Sequence, residues 1–271
     1  MNFRNFIFSF YLTSFCLSFN NITPRYKSTL LYKKNKDNYD DLFYDTIHDN
    51  KPKTFKDKYK PLTDTQKIYY ENINNDKYKL IIANGPAGTG KTLFPTQKAA
   101  ELLTLDPKSK VIITRPLITT DEDLGFLPGN INKKMDPWMM PIFDIFRDFF
   151  CQKDINTFIA DKRLEIVPLA FMRGRTFKNA YIIGDELQNS SINQMLMLLT
   201  RLGDNSKMVI TGDIQQCDNI ENGLEDLIER IENAYYHSET DLEDNFISLV
   251  NLNSTDIQRS PIVNIILNIY G

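Results

Sequence analysis

The stretch Leu80-Ile81-Ile82-Ala83-Asn84-Gly85-Pro86-Ala87-Gly88-Thr89-Gly90-Lys91-Thr92 decides the fold. A short apolar run of strand length enters a loop of glycines and small residues, and a helix-forming segment follows Thr92. Gly85 to Thr92 fit G-x-x-x-x-G-K-[ST] in full, in the strand–loop–helix setting that the pattern needs to mean anything. Gly85, Pro86, Ala87, Gly88, Thr89 and Gly90 keep the loop slim, so that backbone N–H groups converge on phosphate oxygens at the positive end of a helix. Lys91 supplies a point charge between the β- and γ-phosphates, and the Thr92 hydroxyl is a ligand for Mg2+. The implied ligand is ATP with Mg2+. Pro95 falls so near the helix start that it need not break it.

Outward from this loop the chain alternates. Apolar runs at Leu80–Ala83, Val111–Thr114, Leu164–Pro168, Tyr181–Gly184, Met208–Thr211 and Phe246–Val250 are separated by helix-sized segments. Continuous apolar runs of this kind describe buried parallel strands joined by crossover helices, an α/β fold with a mainly parallel central sheet. A helix is expected after Ser190 as N-cap, with Ile192, Met195, Leu196, Leu199 and Leu202 on its core face and Gly203 at its end. A last helix, from about Pro261 to Tyr270, repeats the spacing with Ile262, Ile265, Ile266 and Ile269, again read as core.

The run ending at Gly184 opens onto Asp185-Glu186-Leu187-Gln188-Asn189. Carboxylates at the C-terminal end of a parallel strand lie at the phosphate side of an open α/β sheet. Asp185 is therefore expected to hold Mg2+ with Thr92, and Glu186 to orient or deprotonate a water in line with the γ-phosphate. Met208–Thr211 runs into Gly212-Asp213-Ile214-Gln215-Gln216. The G-D-x-x-Q spacing is similar to the γ-phosphate sensor of superfamily 1 helicases, with Gln216 as the sensing residue. Gln66 stands upstream of the loop, where those enzymes use a glutamine to read adenine.

Residues 1–36 contain no Asp or Glu, the first acid being Asp37. The apolar run Phe6 to Phe19 is too short for the roughly 20 residues of a membrane span. A basic, hydroxyl-rich stretch with Arg25, Lys27, Ser28, Thr29, Lys33 and Lys34 follows. This reads as a targeting leader for an organelle, plastid or mitochondrion, or else as a disordered tail on a cytoplasmic protein. Residues 37–62 are polar, with lysines at 51, 53, 56, 58 and 60, and read as a solvated linker or as contacts to a phosphate backbone. The catalytic domain is then 63–271, without a stable membrane span.

Bulk properties narrow the chemistry. A length of 271 residues suits one α/β domain plus an appendage. With only His48 and His237, and with Cys16, Cys151 and Cys217 far apart, a zinc site or a Ser-His triad is disfavoured. A net charge of -3 gives no general attraction for nucleic acid, so any such surface must be a local patch.

Spaced motifs along the chain resemble the PhoH family, the phosphate-starvation-inducible P-loop ATPases. They include Thr114-Arg115-Pro116, Asp121-Glu122-Asp123-Leu124-Gly125-Phe126-Leu127-Pro128-Gly129, Lys134-Met135-Asp136-Pro137-Trp138 and Pro168-Leu169-Ala170-Phe171-Met172-Arg173-Gly174-Arg175. They continue through the acid pair, Leu199-Thr200-Arg201-Leu202-Gly203, the Thr211–Asp218 segment and Asp256-Ile257-Gln258-Arg259-Ser260. Leu187 stands where alanine is usual, and Gln258 where valine is usual. The resemblance implies a single RecA-like P-loop NTPase domain with a helicase-like core, acting on RNA or single-stranded nucleic acid. It also implies that a neighbouring subunit completes the site, in a homo-oligomeric ring such as a hexamer. Arg201 and Arg259 are the candidate arginines for the transition state. Arg173, Arg175 and Lys178, beside Phe171 and Phe177, are the candidate polymer contacts, or alternatively nucleotide or interface contacts. Two other classes remain: an ATP-dependent assembly switch with little turnover, and a P-loop small-molecule kinase, against which Glu186 and the G-D-x-x-Q segment speak.

Overall fold

The computed structural model describes residues 54–116, 131–218, 221–236, 246–258, 262 and 269. Leader 1–36, most of the linker and Arg259 lie outside these residues. Six strands form one parallel sheet: β1 (Leu80–Asn84), β2 (Lys110–Thr114), β3 (Leu164–Ile166), β4 (Ala180–Gly184), β5 (Lys207–Gly212) and β6 (Ile247–Asn251), in the order β3-β2-β4-β5-β1-β6. All six expected runs are strands, and the fold is the expected α/β domain.

Side chains alternate across a strand, so neighbouring residues feed opposite cores. Ile81, Ala83, Val111, Ile113, Tyr181, Ile183 and Val209 face one side. There they meet α1 (Asp64–Asn74), α2 (Leu93–Leu105), α3 (Ile131–Arg147) and α4 (Gln152–Ala160) through Tyr69, Ile73, Phe94, Phe146 and Ile155. Ile82, Ile112, Ile182, Met208 and Ile210 face the other side, against α5 (Ile192–Leu199) and α6 (Gly223–Tyr236). Both faces are covered, which explains why the strands read as continuous apolar runs.

Helix α5 departs from expectation. Ser190 is not its cap: the Ser190 hydroxyl donates to the Leu187 carbonyl at 2.7 Å, closing a one-turn 3₁₀ helix, Leu187–Asn189. Ser191 caps α5 in a capping box with Gln194, and the helix ends at Leu199, short of Gly203. Met195 and Leu198 form its buried side, whereas Ile192 and Leu196 are exposed. Leu198 packs over Gly184, where an added Cβ would stand 3.2 Å from its Cδ2, and that close approach sets the helix rotation. Ile262 and Ile269, expected in a core, are also exposed; Ile265 and Ile266 lie outside the described residues.

Part of the stretch read as linker lies on the domain. Phe55 stacks on Phe149 at 5.3 Å between centroids, and Tyr59 meets the same ring edge-on at 6.1 Å. The Gln97 amide clamps this strap: its Oε1 accepts from Lys58 N and Tyr59 N, and its Nε2 donates to Tyr59 O. Lys58 Nζ and Tyr59 OH both bond Asp148 beyond α3. Among the described residues, no helix is long and apolar enough to cross a membrane.

Candidate functional site

The loop between β1 and α2 forms the floor of the site. Gly88 and Gly90 adopt φ of 87° and 88°, a left-handed region that side chains disfavour. Gly85 sits so close to the loop after β6 that an added Cβ would fall 2.5 Å from the Leu252 carbonyl oxygen. The loop is pinned from three directions: Gly85 N donates to Gly212 O, Gln258 N donates to Gly88 O, and Tyr69 OH donates to Lys91 O. Lys91 is almost wholly buried, and its Nζ donates to Pro86 O at 3.2 Å, across the mouth of the loop.

Thr92 and Asp185 meet as the sequence reading expected. Thr92 Oγ1 donates to Asp185 Oδ1 at 2.7 Å, and Thr211 Oγ1 donates to the same oxygen at 2.6 Å. Arg115, at the end of β2, lies 3.2 Å from Asp185 Oδ2 through Nε and 3.4 Å from Glu186 Oε1 through Nη2. Burial pushes the Asp185 carboxyl up from its ordinary range, against the pull of the Arg115 guanidinium. Hydroxyl and carboxylate oxygens side by side are the donors that Mg2+ prefers, and that ion is ordinarily held by one or two protein oxygens together with substrate phosphates. Among the described residues no cluster of His, Cys, Asp and Glu would cage a metal alone. The pair therefore fits a nucleotide-borne Mg2+.

Glu186 has φ of 55°, a left-handed conformation for a residue with a side chain. The chain turns sharply out of β4 there, and Glu186 lines the cavity with Lys91 and Thr92. Its Oε2 accepts from Gln188 Nε2 at 2.7 Å, while Gln188 Oε1 accepts from Asp213 N at 3.2 Å. Gln188 thus joins the acid pair to the Gly212-Asp213 segment. Gln216, expected to sense the γ-phosphate, is exposed on the 3₁₀ turn Ile214–Gln216.

The cavity measures about 700 Å³ and is lined by the loop together with Lys58, Tyr59, Lys60, Leu62, Ile145 and Gln258. Gln66, a buried residue of the cavity lining, is fully engaged: Nε2 donates to Thr89 O and Asp256 O, and Oε1 accepts from Leu62 N and Thr63 N. Its amide braces the phosphate loop against the turn near Asp256, and the residue lines the same cavity in which it was expected to read adenine.

The remaining candidates among the described residues lie away from the cavity. Phe177 precedes β4 and bridges Leu202 ahead of β5, so this region is the edge where the strands begin, opposite the phosphate loop. Arg201 is there, donating from Nε to Met197 O, from Nη1 to Arg175 O and from Nη2 to Thr200 Oγ1. Arg175 pairs with Glu165 at 2.6 Å and lies 4.5 Å over the Phe177 ring; Lys178 pairs with Asp204 at 2.8 Å. Phe177 is buried and offers no face to a polymer, whereas Phe171 and Arg173 are exposed. The sequence reading gave no site role to Arg115, Gln188, Thr211, Tyr59 or Gln258. All but Tyr59 stood in quoted motifs, and the signal for Tyr59 was an aromatic between two lysines.

A family model described as PhoH-like protein matches residues 58–271. The PhoH-like protein of Mycobacterium tuberculosis is 37% identical over 215 residues, covering 78% of this chain and 58% of that protein. Protein PhoH of Escherichia coli is 39% identical over 204 residues, covering 71% of this chain and 53% of that protein. The chain thus spans little more than half the length of these relatives. Among solved structures, the Pif1 helicase from Candida albicans matches with a TM-score of 0.34 and 15% identity, covering 76% of this chain and 43% of that one, too distant to add to the argument.

Proposed function

This chain belongs to the PhoH-like protein family, and from that premise we propose that it hydrolyses ATP with Mg2+ and couples hydrolysis to RNA or single-stranded nucleic acid. The observation that carries the proposal is the Thr92–Asp185 contact at 2.7 Å beside Glu186 at the cavity lip. The loop amides and Lys91 would bind the β- and γ-phosphates, with Lys91 Nζ exchanging its Pro86 carbonyl partner for phosphate oxygen. Thr92 Oγ1 and Asp185 would hold Mg2+, which when bound neutralises charge on the phosphates. Glu186 would orient the attacking water and accept its proton, and Arg115 and Gln188 would fix the direction of its carboxylate. The ring of Tyr59, tethered through its hydroxyl to Asp148, would flank the base.

An arginine from a neighbouring subunit would complete the site in a homo-oligomeric ring. Arg201 and Arg259 are the candidates, and the Arg201 guanidinium braces backbone at the far edge of its own sheet. Arg173, Arg175 and Lys178 with Phe171 would be the polymer contacts. Residues 1–36 would act as an organelle leader.

One observation favours the assembly switch as a second reading: Arg115 and Gln188 hold both oxygens of Glu186, which would slow turnover until a partner released them. Steady-state ATP hydrolysis by the full chain, across protein concentration and with and without single-stranded RNA, separates the two. Turnover per subunit rising with both supports the coupled ATPase. Measurable turnover flat in both removes the coupling, and nucleotide binding without turnover leaves the switch.

A further inference from the structure

The cavity beside the phosphate loop offers a nucleotide base few polar groups. Lys91, Thr92 and Glu186 are assigned above to phosphate, Mg2+ and water. The other polar side chains of the lining are Lys58, Tyr59, Lys60, Gln66 and Gln258. Adenine and guanine share the N7 acceptor and differ at position 6, where adenine carries an amino donor and guanine a carbonyl acceptor. A site rejects the wrong base strongly only where a fixed buried group would be left unpaired by it. For adenine over guanine that group is an acceptor facing position 6.

Gln66 has no such acceptor to spare. An amide carries two N–H donors and two acceptor lone pairs. Nε2 donates to Thr89 O at 3.1 Å and to Asp256 O at 2.9 Å, while Oε1 accepts from Leu62 N at 2.9 Å and from Thr63 N at 3.3 Å. All four positions are used. Thr89, Asp256 and Gln66 itself are buried, so turning the amide toward a base would strip a buried carbonyl of this donor for no net gain in bonds. Two other polar tips are also engaged, since Lys58 Nζ and Tyr59 OH both bond Asp148. Gln97 holds the strap backbone at Lys58 N, Tyr59 N and Tyr59 O. Lys60 and Gln258 are exposed, and neither discriminates. The Lys60 ammonium only donates, which suits N7 of either purine. Gln258 N is fixed to Gly88 O, but its side-chain amide can turn oxygen to an amino group or nitrogen to a carbonyl.

We propose, resting on the nucleotide reading of this cavity, that it accepts purine nucleoside triphosphates as a class, GTP as well as ATP, and that Gln66 is a positioning residue for the phosphate loop instead of a reader of the base. The base is held by its ring face against the Tyr59 ring and Leu62, and stacking is blind to the group at position 6. Gln66 acts on the other end of the nucleotide. It joins Thr89 of the loop to Asp256, two residues before the Gln258 N–H that bonds Gly88 O, and it joins both to the strap at Leu62 and Thr63. Loss of its amide therefore loosens the loop, and ATP and GTP suffer alike.

The test is competition binding to the full chain with Mg2+, in which ATP and GTP each displace ATP that carries a fluorophore on its ribose. The ratio of the two Kd values reads base selectivity whether or not hydrolysis follows. A ratio within about tenfold is expected, far below the 10⁴–10⁵ reached by sites built to hydrogen-bond their substrate. Gln66→Ala should weaken both nucleotides by a common factor of roughly threefold to tenfold, the range for losing a hydrogen bond or two, and leave their ratio within about twofold of wild type. The wild-type ratio needs no variant, so it decides the matter even where Gln66→Ala fails to fold. A preference for ATP beyond about tenfold overturns the proposal and leaves the nucleotide reading standing. So does a Gln66→Ala ratio shifted toward GTP by more than about twofold, because the amide would then be reading adenine. Failure of the labelled ATP to bind overturns the nucleotide reading itself, and this proposal with it.

Discussion

The Gln188 amide donates to Glu186 Oε2 at 2.7 Å while its carbonyl oxygen accepts from the backbone N–H of Asp213 at 3.2 Å. One buried side chain thus fixes the carboxylate proposed to direct water and ties it to the strand end that follows Gly212. Gly212 is required for this: a Cβ there would fall 2.6 Å from Gln188 Oε1. Replacing Gln188 by Leu keeps the volume and removes both bonds. The expected result is a fall in kcat of about tenfold to a hundredfold with KM for ATP nearly unchanged, because positioning is lost while phosphate binding is not. Steady-state kinetics with a fluorescent-nucleotide Kd checks it; a rise in KM alone would make Gln188 a binding residue.

Glu186→Gln should leave nucleotide affinity within about threefold and lower turnover by roughly 10²–10⁴ fold, the reach of a positioned base. Phosphate release under single-turnover conditions measures this directly. Undiminished release would move the role to another residue.

Gly85→Ala should be harmful although the added group is one methyl. Its Cβ would press on the backbone carbonyl of Leu252, which cannot swing aside like a side-chain tip. A loss of about 1–3 kcal/mol, the range for overpacking, is expected in chemical denaturation, together with weaker ATP binding. An unchanged midpoint would mean that the loop after β6 shifts freely.

Arg201→Ala separates a brace from a transition-state group. Its guanidinium bonds Met197 O and Arg175 O, so the variant should lose about 1–3 kcal/mol of stability. Turnover per folded subunit should stay within about threefold, where a lost transition-state arginine would cost 10³ or more. Mixing the variant with Glu186→Gln protein checks the same point: rescued turnover would mark Arg201 as a group acting in trans.

Lys207 predicts a pH dependence of stability. Its pKa is lowered from the ordinary 10.5 to about 8 by burial, with Asp76 opposing and Lys98 and Lys79 assisting. Between those values the unfolded chain binds more protons than the folded one, so stability should rise as pH goes from about 8 to 10.5. At 1.36 kcal/mol per unit the ceiling for this group is about 3.4 kcal/mol, and solvent screening of the partly exposed ammonium brings the expected gain below it. Denaturation of wild type and Lys207→Met across that window reads it, and equal slopes would count against the assignment.

The six strands, the phosphate loop and the Thr92–Asp185 pairing were legible in the sequence because each rests on local pattern. An apolar run must be buried, and a loop of glycines ahead of a helix has few other uses. A carboxylate after a parallel strand must emerge beside that loop. The roles of Arg115, Gln188 and Tyr59 were not legible. Each acts through a partner distant in sequence, and side-chain type alone does not say whether an arginine or glutamine faces water, backbone or an acid. Gln66 and Arg201 make the same point in reverse, since their amide and guanidinium groups bond backbone that only the folded chain brings within reach. The sequence by itself determined which segments are buried and what chemistry the loop supports, because hydrophobic periodicity and backbone sterics are local. Only the tertiary structure decided which polar side chains share a partner and which edge of the sheet each occupies, because those follow from strand order, and strand order comes from packing across the whole domain.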